Sequence, residues 1–144
     1  QNGEYILRSS EGGLATGLGS VYKQGNNVWI GWPGIDVPKE RQGEVKKLLA
    51  SLNLIPVFLT TDEINLYYEG FSNEILWPVF HYLTTYANFE QDYWDSYKSV
   101  NEKFKDAAIE AVNDGDTIWI HDYQLLLLPC LPIYSLPFLP DSNW

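Results

Sequence analysis

Residues 90–112 carry the one unbroken helical period in the chain. Tyr93, Tyr97, Val100, Phe104, Ala107, Ala108 and Ala111 recur at spacings of three and four, while Asp92, Asp95, Glu102, Asp106 and Glu110 fall elsewhere around the surface. Asn113-Asp114-Gly115-Asp116 ends that helix. Residues 117–120 (TIWI) then read as a short, continuously apolar strand of the kind buried in a parallel sheet, with His121-Asp122-Tyr123 at its carboxyl end. Strands alternating with helices indicate an α/β sheet.

Upstream the alternation repeats. Residues 4–8 (EYILR) read as a strand, Gly12-Gly13 as a turn, and Leu14, Leu18, Val21 and Tyr22 as a helical face. Residues 28–32 (VWIGW) form a strand stopped by Pro33-Gly34, and residues 39–52 a helix on Val45, Leu48, Leu49 and Leu52. Residues 54–59 (LIPVFL) form a strand whose Pro56 favours an edge or a start. Thr61 or Asp62 is placed to cap a helix holding Ile64, Tyr67 and Tyr68. Residues 71–86 read as a buried, broken helical stretch limited by Pro78. From Pro129 the pattern is lost, and four of the eight prolines fall between there and Pro140.

With 144 residues the chain can build one core. Its net charge of −10 argues against nucleic acid as a partner and against an anionic membrane surface. The charge is uneven: residues 1–61 hold 5 acids and 6 bases, residues 62–144 hold 14 acids and 3 bases. No apolar run approaches the ~20 residues that cross a bilayer, and no secretory signal opens the chain. The lone Cys130 cannot pair internally, which fits a reducing, cytoplasmic setting. Two histidines and one distant cysteine give no metal-ligand spacing, and no cofactor motif is present. A start at Gln1 with no methionine anywhere suggests a fragment.

Open parallel sheets bind ligands at the carboxyl ends of their strands, which singles out two places. Gly12-Gly13 lets backbone N–H groups approach a phosphate, or is simply a tight turn; it is neither GxGxxG nor a P-loop. At His121-Asp122 a carboxylate could grip sugar hydroxyls with the histidine orienting it, or Asp122 could cap the helix that starts at Tyr123. Tyr67, Tyr68 and Trp77 offer ring faces and hydroxyls to a sugar, or belong to the core. His81 reads as a satisfied core histidine.

Taken together, residues 10–15 (SEGGLA), 29–34 (WIGWPG), 68–82 (YEGFSNEILWPVFHY), Tyr97 with Val100-Asn101, and 116–128 (DTIWIHDYQLLLL) closely resemble the trehalose-6-phosphate synthases, in that family's order and spacing. The resemblance covers about residues 9–129. It implies an incomplete Rossmann-like parallel-sheet domain from the first, acceptor-side half of a GT-B retaining glycosyltransferase that moves glucose from UDP-glucose to glucose 6-phosphate. Residues 1–128 would be that partial domain and 129–144 an atypical proline-rich tail. By the same resemblance Gly12 and Gly13 belong to the donor diphosphate loop, and Tyr68, Trp77 and Asp122 contact the acceptor. No catalytic residue is assigned.

The departures matter as well. The family's upstream S-N-R-L-P strand, with its phosphate-holding arginine, and its downstream H-I-P-F-P strand have no counterpart here, and the donor domain is missing. The expectation is therefore a synthase fragment without turnover of its own. The rival is a noncatalytic module that binds a sugar phosphate or associates with full-length subunits. Homo-oligomerisation stays open.

Overall fold

A computed structural model describes Tyr5 and residues 27–131. The expected strand at 4–8, the Gly12-Gly13 turn, the helix after it and nearly all of the proline-rich tail lie outside the described residues.

Two short strands, β1 (Trp29–Gly31) and β2 (Leu54–Pro56), pair in parallel with Trp29 opposite Leu54, Ile30 opposite Ile55 and Gly31 opposite Pro56. Parallel strands require a crossover, and α1 (Lys39–Ala50) supplies it. Asn53 closes the return at φ 56°, and its carbonyl accepts the Trp29 N–H at 3.1 Å. Pro56 has no N–H to give. It sits in the last pair of the ladder, and Val57 donates to the Gly31 carbonyl at 2.8 Å in its place. Val45 and Leu49 of α1 pack on Val37, with Leu54, Phe58 and Tyr5 around them. This small core anchors the crossover to the sheet.

The next helix begins at α2 (Thr61–Glu63) and runs without a break through a π-helix (Ile64–Leu76) into α3 (Trp77–Phe80). Its cap is Thr60, not Thr61 or Asp62. The Thr60 hydroxyl accepts the Glu63 N–H at 3.2 Å, and the Glu63 carboxylate accepts the Thr60 N–H at 3.0 Å. Thr61 is otherwise engaged: its N–H and hydroxyl both donate to Asp36 Oδ2, at 2.8 and 2.9 Å. The stretch is broken as expected, by a turn at residues 81–82 before a short 3₁₀ turn at Thr84–Tyr86. The helix runs through Pro78 and stops two residues later, at Phe80. Not all of the stretch is buried, since Tyr82 is 95 % exposed and Tyr86 and Phe80 are also open to solvent.

The long helix α4 (Gln91–Ala111) lies where its period put it and buries Tyr97, Val100, Asn101, Phe104 and Ala108. Of these, Tyr97, Val100 and Phe104 join Val57, Leu59, Tyr67 and Leu128 in the main core. Ile118 and Ile120 pack on that core from one side, while Trp119 between them is 66 % exposed. Residues 117–120 thus alternate like a strand, but among the described residues the sheet has only β1 and β2 and no ladder reaches them. The expected fully buried strand is corrected to an unpaired segment in which Ile118 and Ile120 are partly buried and Thr117 and Trp119 exposed. Two short 3₁₀ turns come next, Tyr123–Leu125 and Leu128–Cys130. Among the described residues no helix is long and apolar enough to cross a membrane.

Candidate functional site

Tyr68 lies in the π-helix, Trp77 opens α3, and Asp122 heads the 3₁₀ turn at Tyr123–Leu125. Tyr67 and Tyr68 separate sharply. Tyr67 is buried in the core, its ring 5.8 Å from that of Tyr97, so it belongs to the packing. Burial, reinforced by Tyr97, Tyr68 and Asp122, pushes the Tyr67 phenol well above its ordinary range. Tyr68 is half-buried, with its ring 5.7 Å from Trp32.

Asp122 stands at the head of the 3₁₀ turn and is exposed. One carboxylate oxygen, Oδ1, accepts the Tyr123 N–H at 2.9 Å, so the capping role is real. An ionised carboxylate has about four acceptor sites, so the cap leaves capacity for ligand hydroxyls. His121 does not orient it as expected. The ring of His121 instead lies 4.6 Å from Trp119.

Tyr123 links the two acceptor candidates. Its phenol is raised first by burial and then by the negative charge of Asp122 and by Tyr68, so these groups share one electrostatic neighbourhood. The Tyr123 hydroxyl donates to Asn73 Oδ1 at 3.3 Å, tying the turn to the π-helix. Trp77 joins less directly. It is 42 % exposed and stacks on His81 at 4.1 Å, and Phe80, one helical turn on, meets the edge of Tyr123 at 6.2 Å. His81 is corrected from a core residue to an exposed one: its Nδ1 donates to the Trp77 carbonyl at 2.7 Å, and its ring props the indole.

Sequence reasoning gave no role to Tyr97, Asn101 or Asn73, though Tyr97 and Asn101 lie in a motif shared with the synthases. The Tyr97 hydroxyl donates to the Tyr123 carbonyl at 2.7 Å and accepts the Leu126 N–H at 3.0 Å. Asn101 donates to the Tyr97 carbonyl at 2.9 Å and to the Gln124 carbonyl at 3.1 Å. A polar residue on the apolar face of α4 was the available signal. An open groove of about 560 Å³ lined by Phe71, Leu76, Phe89 and Trp94 among others includes neither Tyr68, Trp77 nor Asp122. Among the described residues no cluster of His, Cys, Asp and Glu could hold a metal ion. Gly12 and Gly13 lie outside the described residues.

Residues 1–132 match glycosyltransferase family 20. The chain belongs to that family. It is 44 % identical over 130 residues to the UDP-forming alpha,alpha-trehalose-phosphate synthase 56 kDa subunit of Kluyveromyces lactis, covering 90 % of this chain and 27 % of that protein. The family 20 fold is shared as well. The UDP-forming synthase of Burkholderia vietnamiensis superposes with a TM-score of 0.68 at 35 % identity, covering 84 % of this chain and 26 % of the other. A synthase of Burkholderia xenovorans solved in complex with glucose-6-phosphate gives 0.65 at 27 % identity, covering 83 % and 26 %. The chain therefore spans about a quarter of the length of these family 20 relatives, and its α/β architecture with a parallel sheet is part of their Rossmann-like GT-B fold.

Proposed function

We propose that this chain carries the acceptor-binding part of a trehalose-phosphate synthase, the enzyme that moves glucose from UDP-glucose to glucose 6-phosphate. The observation that carries the reading is that the Tyr123 hydroxyl donates to Asn73 Oδ1 at 3.3 Å, tying the turn headed by Asp122 to the π-helix that carries Tyr68, in a chain of family 20. In this reading the Tyr68 hydroxyl donates to a phosphate oxygen, the Asp122 carboxylate accepts from glucose hydroxyls, and the Trp77 indole covers the sugar. Gly12 and Gly13 offer backbone N–H groups to the donor diphosphate. The acceptor-side domain is assigned to residues 1–128 and the proline-rich tail to 129–144, although the 3₁₀ turn Leu128–Cys130 crosses that boundary.

Glucosyl transfer needs donor and acceptor held together in near-attack geometry, and that positioning supplies much of the rate. A quarter of a two-substrate enzyme holds too few donor contacts, so we infer that the chain by itself binds acceptor without turnover. A titration with glucose 6-phosphate and a transfer assay with UDP-glucose test both halves of this reading. Saturable binding weakened by Asp122→Asn and no transfer is the expected result. Transfer above a heat-treated control would overturn the inactivity, and absence of saturable binding would overturn the acceptor site. A second reading, a noncatalytic partner of longer synthase subunits, draws on the exposed aromatics Tyr82, Tyr86, Phe89 and Trp119; co-elution with a longer family 20 synthase would favour it.

A further inference from the structure

Asp122 has φ 72° and ψ 163°, a backbone region that is essentially reserved for glycine. Its carboxylate bonds only the next N–H, that of Tyr123 at 2.9 Å, rather than the N–H one or two residues further on that a usual cap takes. The constraint comes from the residues downstream. The Tyr123 carbonyl, the Gln124 carbonyl and the Leu126 N–H are each bound by a side chain of α4, the first and third by the Tyr97 hydroxyl and the second by the Asn101 amide. Both side chains are fully buried. Asn101 also donates to the Tyr97 carbonyl, which fixes its own rotamer.

On the other side Ile118 and Ile120, each partly buried, pack against the main core. With residues 118–120 seated there and 123–126 held by α4, the change of chain direction falls on the residues between. Asp122 absorbs it.

We propose that Tyr97 and Asn101 are positioning residues that impose the glycine-like backbone of Asp122 and thereby aim its carboxylate at the acceptor. The aiming rests on the acceptor-binding function proposed for this site; the conformational coupling does not.

The test uses the whole 144-residue chain, isotope-labelled. Carbon shifts and the amide-to-Hα coupling of Asp122 report positive φ in the wild type and move toward ordinary extended values in Tyr97→Phe, while the remaining core signals keep native dispersion. Asp122→Gly relieves the strain only where the clamp exists. Its effect on the melting temperature is therefore more favourable in the wild-type background than in Tyr97→Phe, by roughly 3–6 °C. Should Tyr97→Phe fail to fold, Asn101→Ser takes its place in both measurements. An Asp122 signature unchanged in the clamp variant, or equal effects of Asp122→Gly in both backgrounds, overturns the proposal. Glucose 6-phosphate added to the wild type separates the two readings. Coupling without any ligand-induced shift at Asp122 sinks the acceptor reading and leaves the clamp standing; a shift without coupling does the reverse.

Discussion

A Cβ atom on Gly70 would stand 2.7 Å from Cε1 of Tyr93. The π-helix and α4 therefore meet at van der Waals contact through a bare backbone on one side and an aromatic face on the other. Tyr93 is held there by its hydroxyl, which donates to Glu74 at 3.1 Å. Because the contact involves the ring body rather than a flexible tip, neither helix can yield cheaply.

Gly70→Ala is accordingly expected to destabilise the fold by ~1–3 kcal/mol, the usual scale of overpacking. The intrinsic helix preference for Ala acts the other way by ~1 kcal/mol, so truncating the ring should reverse the sign. In a Tyr93→Ala background Gly70→Ala is expected to be neutral or stabilising. Urea unfolding of the four variants measures this, and equal effects in the two backgrounds would dissociate Gly70 from Tyr93.

Thr60→Ala should cost ~1 kcal/mol through the lost capping box. Thr61→Val probes the adjacent threonine, which does not cap. It removes only the hydroxyl bond to Asp36 and leaves the Thr61 N–H bond in place, so its cost should be the smaller. Denaturant midpoints give the order, and a larger loss from Thr61→Val would return the cap to Thr61.

Glu63 makes part of the stability acid-sensitive. Burial works to raise its carboxyl, but the Lys103 ammonium, 2.6 Å away, and the Thr60 N–H outweigh it and hold the group below its ordinary value. A carboxyl lowered in the folded state binds fewer protons than in the unfolded chain. Its contribution is therefore complete above the unfolded value near ~4.3 and is lost as pH falls through the folded one. Lys103 is substantially exposed, so solvent screening keeps the pair to ~0.5–1 kcal/mol. Lys103→Met should lower the unfolding free energy at pH 7 by that amount and narrow the gap to wild type below about pH 4. A gap that is constant from about pH 7 to about pH 3 would remove Glu63 from the acid response.

What the sequence made legible was whatever depends on local period. The face of α4 and the buried Val45 and Leu49 of α1 come from spacing alone. The cap was displaced by one residue because Thr61 is claimed by Asp36, a bond across 25 positions that no local pattern records. Residues 117–120 have strand composition, yet pairing belongs to a neighbour and not to the segment. The π register is likewise invisible, since Ser72 returning its hydroxyl to the Tyr67 carbonyl at 2.8 Å is a consequence of five-residue spacing that an apolar stripe does not specify. The His121-Asp122 pair marked the end of the apolar run where the 3₁₀ turn begins. It could not disclose that α4 holds the turn after Asp122, or that Trp119 rather than Asp122 is the neighbour of the imidazole.

Asp122 combines the two roles its sequence position allowed, and one substitution separates them. As a cap its Oδ1 accepts the Tyr123 N–H at 2.9 Å, and Asn caps about as well as Asp. Asn has the same shape as Asp and meets the same backbone strain, so Asp122→Asn should leave the melting temperature within about 2 °C of wild type. Toward a sugar the two side chains differ. The amide keeps one acceptor oxygen and presents an NH₂ donor where the carboxylate accepts, so a charge-assisted bond to a hydroxyl is lost. Bonds of that class contribute ~1.5–3 kcal/mol, which at about 1.4 kcal/mol per decade weakens glucose 6-phosphate binding by about tenfold or more. Calorimetric titration alongside thermal melts reads both numbers on the same protein. Binding unchanged at an unchanged melting temperature would leave Asp122 as a cap alone, whereas a melting temperature lowered in proportion to binding would mean that the carboxylate acts on the ligand only through the fold.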